Sequence, residues 1–215
     1  MKGLGTDEQT IIDILTTCSN RQRQEIAKYF TNTFGRNIVD DLKSELGGEF
    51  EDVIVSLMIP AEEYLCTQLH KALEGLGTDE STLVDILCTM SNEELHELVE
   101  LYEKLYDRPL AEHLCSETDG YFRRLLTMII TGVRDQSGKL DPSRAKEEAA
   151  ALYAAGESKL GTDEEVFNRI FAHDSFGQLR LVFEEYKDLS GQTIEQAVKH
   201  EMDGELKETI MAISE

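Results

Sequence analysis

The 215-residue sequence has no stretch approaching the roughly 18 to 20 consecutive apolar residues that span a bilayer as a helix. Its start, Met1-Lys2-Gly3-Leu4-Gly5-Thr6-Asp7-Glu8, offers no apolar signal region. Basic residues are scarce: 21 Lys and Arg face 43 Asp and Glu, a net charge of -22. That balance excludes the basic stripe on which nucleic-acid binding depends. It also opposes direct contact with an anionic membrane unless multivalent cations intervene. The four cysteines, Cys18, Cys66, Cys88 and Cys115, form no C-x-x-C pair and sit in apolar helix-like patterns, which predicts reduced core thiols. Catalytic signatures are missing too. There is no H-E-x-x-H, G-x-S-x-G or P-loop, and His96-Glu97-Leu98-Val99-Glu100 lacks the second histidine. His70, His113, His173 and His200 share no zinc-like spacing. The expectation is a soluble, cytoplasmic, non-enzymatic protein.

What the sequence does have is a loop written three times. Gly3-Leu4-Gly5-Thr6-Asp7-Glu8, Gly75-Leu76-Gly77-Thr78-Asp79-Glu80 and Lys159-Leu160-Gly161-Thr162-Asp163-Glu164 are each followed by a distant acid. The acid is Glu45, Glu117 or Glu201, in every case 40 residues after the last glycine. The repeat runs past the loop: Asp13-Ile14-Leu15 matches Asp85-Ile86-Leu87, and Asn168-Arg169-Ile170-Phe171 holds that place in the third copy. Units of about 70 residues are small domains rather than solenoid turns.

Within a unit the apolar period is helical, as in Ile11, Ile12, Leu15, Cys18 and in Leu83, Ile86, Leu87, Met90. Strand-like alternation is weak. Capping-box patterns predict helix starts at Thr6 with Gln9, Ser19 with Gln22, Ser91 with Glu94, Thr162 with Glu165, and Ser175 with Gln178. Asp141-Pro142 reads as a cap followed by proline in the first turn. These signals predict an all-α chain with about five helices per unit, one before the glycine loop and four after. The expected boundaries are 1–59, 60–132 and 147–215, with a polar linker at 133–146.

The loop chemistry favours a hard cation. Glycine tolerates positive φ and turns carbonyl oxygens outward. Calcium accepts six to eight oxygens, a bidentate carboxylate and waters among them. Three loop carbonyls, one glutamate and one or two waters complete such a shell. One carboxylate per site predicts weak affinity, micromolar to millimolar on the general scale for calcium sites. A dinucleotide reading of G-x-G fails, because Glu8, Glu80 and Glu164 replace the third glycine and no strand precedes the loop. A single such loop is equally served by a cap glycine followed by a capping threonine. Three copies, each with an acid at a fixed distance, favour a site. Asp135-Gln136-Ser137-Gly138-Lys139 is not an EF-hand.

The M-K-G-L-G-T-D-E loop at 1–8, the D-D-L-K-S-E-L segment at 40–46 and K-L-G-T-D-E-E-V-F at 159–167 resemble the annexin family, along essentially the whole chain. The resemblance implies five-helix repeats wound in a right-handed superhelix. It implies calcium-dependent, peripheral binding of acidic phospholipids such as phosphatidylserine, at the cytosolic face of membranes. It implies backbone ligands from Met1, Gly3 and Gly5 with the Glu45 carboxylate, and from Leu73, Gly75 and Gly77 with Glu117. For the third repeat it implies Gly156, Lys159 and Gly161 with Glu201. Annexins carry four repeats and a regulatory tail. The sequence matches three, beginning inside the first loop, so a fragment is expected, with its first repeat the least stable. Other protein partners, such as cytoskeletal elements, stay unidentified. The competing class is a calcium-independent helical-repeat scaffold for protein partners.

Overall fold

The computed structural model of the chain describes residues 5–75, 77–156 and 161–214. Among them are fourteen α-helices and no strand. They run α1 Glu8–Thr17, α2 Asn20–Phe34, α3 Ile38–Glu45, α4 Gly48–Leu57, α5 Ala61–Leu73, α6 Glu80–Leu87, α7 Asn92–Tyr106, α8 Leu110–Glu117, α9 Gly120–Ile130, α10 Pro142–Ala155, α11 Glu164–His173, α12 Phe176–Ser190, α13 Ile194–Glu201 and α14 Gly204–Ser214. The helices recur in step. α2, α7 and α12 each hold 15 residues, and α3, α8 and α13 each hold 8. α5 to α9 form one five-helix repeat and α10 to α14 another. α1 to α4 are the counterparts of α6 to α9.

Local chemistry fixes the helix starts. Ser19 and Ser91 make complete capping boxes with Gln22 and Glu94. Ser175 caps Gln178 N, but the Gln178 amide reaches away to the backbone of Asp141, so that box stays half made. The helices after the glycine loops are capped one residue later than the sequence pattern suggests. Asp7 and Asp79 accept from Thr10 N and Thr82 N, while the Thr6 and Thr162 hydroxyls turn to tertiary partners described below. Asp141 caps α10 through Ser143 N and Arg144 N, with Pro142 in the first turn. The stretch expected as a linker, 133–146, therefore ends as helix from Pro142 onward.

Two compact units divide the chain, 1–67 and 68–215. In the first, Leu15, Ile38, Leu42, Ile54 and Met58 form the core, with Ile11, Ile26, Phe30, Phe50 and Leu57 packed partly against it. In the second, two repeats pack on each other: α9 lies against α11, and α14 against both α6 and α9. Its core includes Leu83, Leu87, Leu125, Leu126, Phe167, Phe171 and Ile210.

All four cysteines are free thiols. Cys66 and Cys88 are buried as expected, and burial pushes their pKa up to about 11 and about 12. Cys18, the residue that follows α1, is half-buried, and Cys115 on α8 is exposed.

Candidate calcium-loop sites

In every repeat the distal glutamate is the last residue of its helix. Glu45 ends α3, Glu117 ends α8 and Glu201 ends α13. The last carbonyls of a helix lack intrahelical donors and carry the negative end of its dipole. In the two complete repeats, the helix before the loop also ends here, α5 at Leu73 and α10 at Ala155. Two helix C-termini thus meet at one place, which favours a cation before any carboxylate is counted.

A threonine joins the two halves. Thr78 Oγ1 donates to the Glu117 carbonyl at 2.9 Å, and Thr162 Oγ1 to the Glu201 carbonyl at 2.8 Å. Thr6 Oγ1 lies 2.8 Å from Glu45 Oε2 and 3.3 Å from its carbonyl oxygen. The second and third loops are also closed onto the helix before them. Asp79 N donates to Ala72 O at 2.9 Å and Asp163 N to Ala155 O at 2.8 Å.

The loop backbone needs glycine. Gly5, Gly75, Gly77 and Gly161 have φ of 93°, 113°, 94° and 86°, a region where side chains are strained. All four are exposed, with open space on the side a Cβ would occupy. Leu73 buries its side chain, which leaves only its backbone for a ligand role. Gly156 is the buried residue that caps the C-terminus of α10, where a Cβ would meet Glu201 Cγ at 3.5 Å, so this glycine and its glutamate are direct neighbours. Glu45 and Glu117 are exposed and Glu201 is half-buried. Met1, Gly3 and Lys159 lie outside the described residues.

Among the described residues no three His, Cys, Asp or Glu side chains cluster as a metal-binding group. An ion held at these loops would take most of its oxygens from the backbone. Calcium fits that donor set, because it accepts carbonyls, one carboxylate and waters, whereas zinc prefers nitrogen and sulfur. Asp7 and Asp79 at the helix starts are acidified. For Asp7 the bonds from Thr10 dominate; for Asp79 the Ser81 hydroxyl comes first, then Thr82. Both carboxylates are engaged with their own helix starts.

Sequence spacing singled out the loops and the glutamates that the threonines join. It missed the threonine tethers and a polar bridge in the second repeat built by His70, Tyr102 and His113. A signal for the bridge was present: each histidine precedes a loop or glutamate position by about one helical turn.

Repeated helix pairs with a glycine loop at one helix end and a paired carboxylate at another define a class of helical-repeat protein. The sequence matches the annexin family over residues 1–57, 64–129 and 148–213. It is 66% identical to annexin B10 of Drosophila melanogaster over 216 residues, covering 100% of this chain and 67% of that protein. It is 44% identical to annexin A5 of Bos taurus, covering 99% of this chain and 66% of the relative. Among solved structures, annexin III superposes with a TM-score of 0.92 at 40% identity, covering 99% of this chain and 66% of that one. Calcium-bound annexin (Sm)1 superposes with a TM-score of 0.87 at 26% identity, covering 99% and 65%. The chain belongs to the annexin family. It spans about two thirds of the length of these relatives.

Proposed function

We propose that this chain binds acidic phospholipid surfaces through calcium ions held at its glycine loops. Membership of the annexin family supports calcium-dependent phospholipid binding in general. Calcium-bound relatives with the same fold support calcium as the ion. The observation that carries the reading is the threonine tether, which joins loop and distal glutamate in all three repeats.

In this reading the Leu73, Gly75 and Gly77 carbonyls and the Glu117 carboxylate hold one ion. Met1, Gly3 and Gly5 with Glu45 hold another, and Gly156, Lys159 and Gly161 with Glu201 a third. Calcium supplies a positive charge that still accepts oxygen ligands, so a lipid phosphate or serine carboxylate completes the shell in place of water. Three such ions bring the net charge of -22 only to about -16. They act by reversing the potential locally, since screening confines charge effects to about 8 to 10 Å. Weak sites on one body add by avidity, which makes binding steep in calcium and reversible by chelation. No described helix is long and apolar enough to cross a membrane, which accords with peripheral attachment. The setting that follows is cytoplasmic, reversibly at the cytosolic face of membranes, with no catalytic step.

Co-sedimentation with phosphatidylserine vesicles tests this. The chain is expected to pellet with calcium and return to the supernatant with chelator. Glu45→Gln/Glu117→Gln/Glu201→Gln is expected to lose at least tenfold in apparent affinity. Equal pelleting with and without calcium would return the protein to the scaffold class.

A further inference from the structure

Tyr102, fully buried on α7, stands between two imidazoles. Its Oη lies 2.7 Å from His113 Nδ1 and 3.1 Å from His70 Nδ1. The His70 ring stacks on Tyr106 with centroids 3.7 Å apart, and its Nε2 lies 3.0 Å from Glu74 Oε1. A phenol carries one proton, so the two imidazoles take opposite roles, one accepting and one donating. Burial, then the charge of Arg108 and of His70, lowers the His113 pKa, which favours its neutral form.

The position of this bridge is what matters. His70 is on α5, one helical turn before Leu73, where the loop carbonyls begin. His113 is on α8, one turn before Glu117. One buried phenol therefore ties together the two helices whose ends supply the two halves of the second site. The third repeat keeps the phenol as Tyr186, but Tyr153, its ring 6.5 Å from that of Tyr186, stands in the place of His70, and Ala197 in the place of His113. The first repeat has Phe30 and Asp41 at the places of Tyr102 and His113. A five-helix repeat folds without the imidazoles, so folding alone does not require them.

We infer that His70, Tyr102 and His113 are positioning residues of the second calcium site, holding the Leu73–Gly77 loop at the distance from Glu117 that calcium needs. The inference rests on the calcium reading above and assigns this site an affinity set independently of the third.

The test is a calcium titration of the Glu45→Gln/Glu201→Gln chain, in which only the second site keeps its carboxylate, read from histidine-ring NMR signals and from calorimetry. Tyr102→Phe and His113→Leu are expected to weaken calcium binding about three- to tenfold, the loss of one or two hydrogen bonds. His113→Gln, which still offers the phenol a partner, is expected to recover most of that loss. Unchanged affinity in Tyr102→Phe would overturn the inference. So would a loss that His113→Gln does not recover, since that is the mark of packing alone. A parent chain that binds no calcium would overturn the calcium reading and this inference together.

Discussion

The two compact units carry the same helices and differ in what those helices bury. Ile14 on α1 is 48% exposed, whereas its counterparts Ile86 and Ile170 are 9% and 1% exposed. Val53 on α4 is 58% exposed, and its counterparts Leu125 and Thr209 are fully buried. The unit at 68–215 contains two repeats, and its α9, α11, α14 and α6 cover one another's apolar faces. The unit at 1–67 contains one repeat, and the same faces meet water. α2 buries no residue at all, while α7 and α12 bury Leu98, Tyr102, Val182 and Tyr186. Arg23 even stands where Leu95 and Leu179 sit in the core, and spends its guanidinium on the carbonyls of Leu15, Cys18 and Leu57. Helix formation is thus local to a repeat, while the burial of α6, α9, α11 and α14 draws on the neighbouring repeat and that of α12 on α10 of its own.

The sharpest way to break that contrast is hydrogen exchange. Amides from Thr6 to Met58 are expected to exchange at least a hundredfold faster than those of α6 to α9, because local opening exposes little that is not already wet. Equal protection in the two regions would remove the distinction. At a single position the contrast becomes a mutant pair. Leu125→Ala is expected to cost about 2 to 5 kcal/mol, a buried large-to-small change. Val53→Ala, at the equivalent place, is expected to cost less than about 0.5 kcal/mol. Denaturant unfolding of both variants reads the difference, and similar costs would mean that Val53 is covered in solution.

The smallest expected effect concerns caps, where the units should agree. Asp7 and Asp79 both have a carboxylate pKa lowered in the folded state by bonds at the helix start. The stabilisation each gives is present above the unfolded value of about 3.9 and is lost as pH falls through the folded value. Asp79→Ala should therefore lower the thermal midpoint slightly at pH 7 and hardly at all once the pH is below the folded value. A cap effect that grows in acid would contradict this origin.

Much of the architecture was legible from residue order. The threefold loop gave the register of the repeats, the apolar period gave the helices, and Ser19-Gln22 and Ser91-Glu94 marked starts that the structure keeps. Thr6 and Thr162 misled, because a threonine followed by an aspartate offers two capping candidates and local sequence does not say which one has a distant partner. The acceptors that take those hydroxyls are 39 residues away. Gln178 misled for the same reason, its amide being claimed by Asp141. His70 and His113 looked unrelated at 43 residues apart, since only the packing of α5, α7 and α8 places a common phenol between them.

By itself, the sequence determined the helical repeat, the glycine positions and the one carboxylate per loop. These are set by dihedral preference, amphipathic period and side-chain chemistry, all readable over short windows. Only the tertiary structure decided that each distal glutamate ends its helix beside a loop threonine, and that one unit hides its apolar faces while the other shows them. Those outcomes depend on which helices meet, and burial belongs to pairs of surfaces rather than to any one residue.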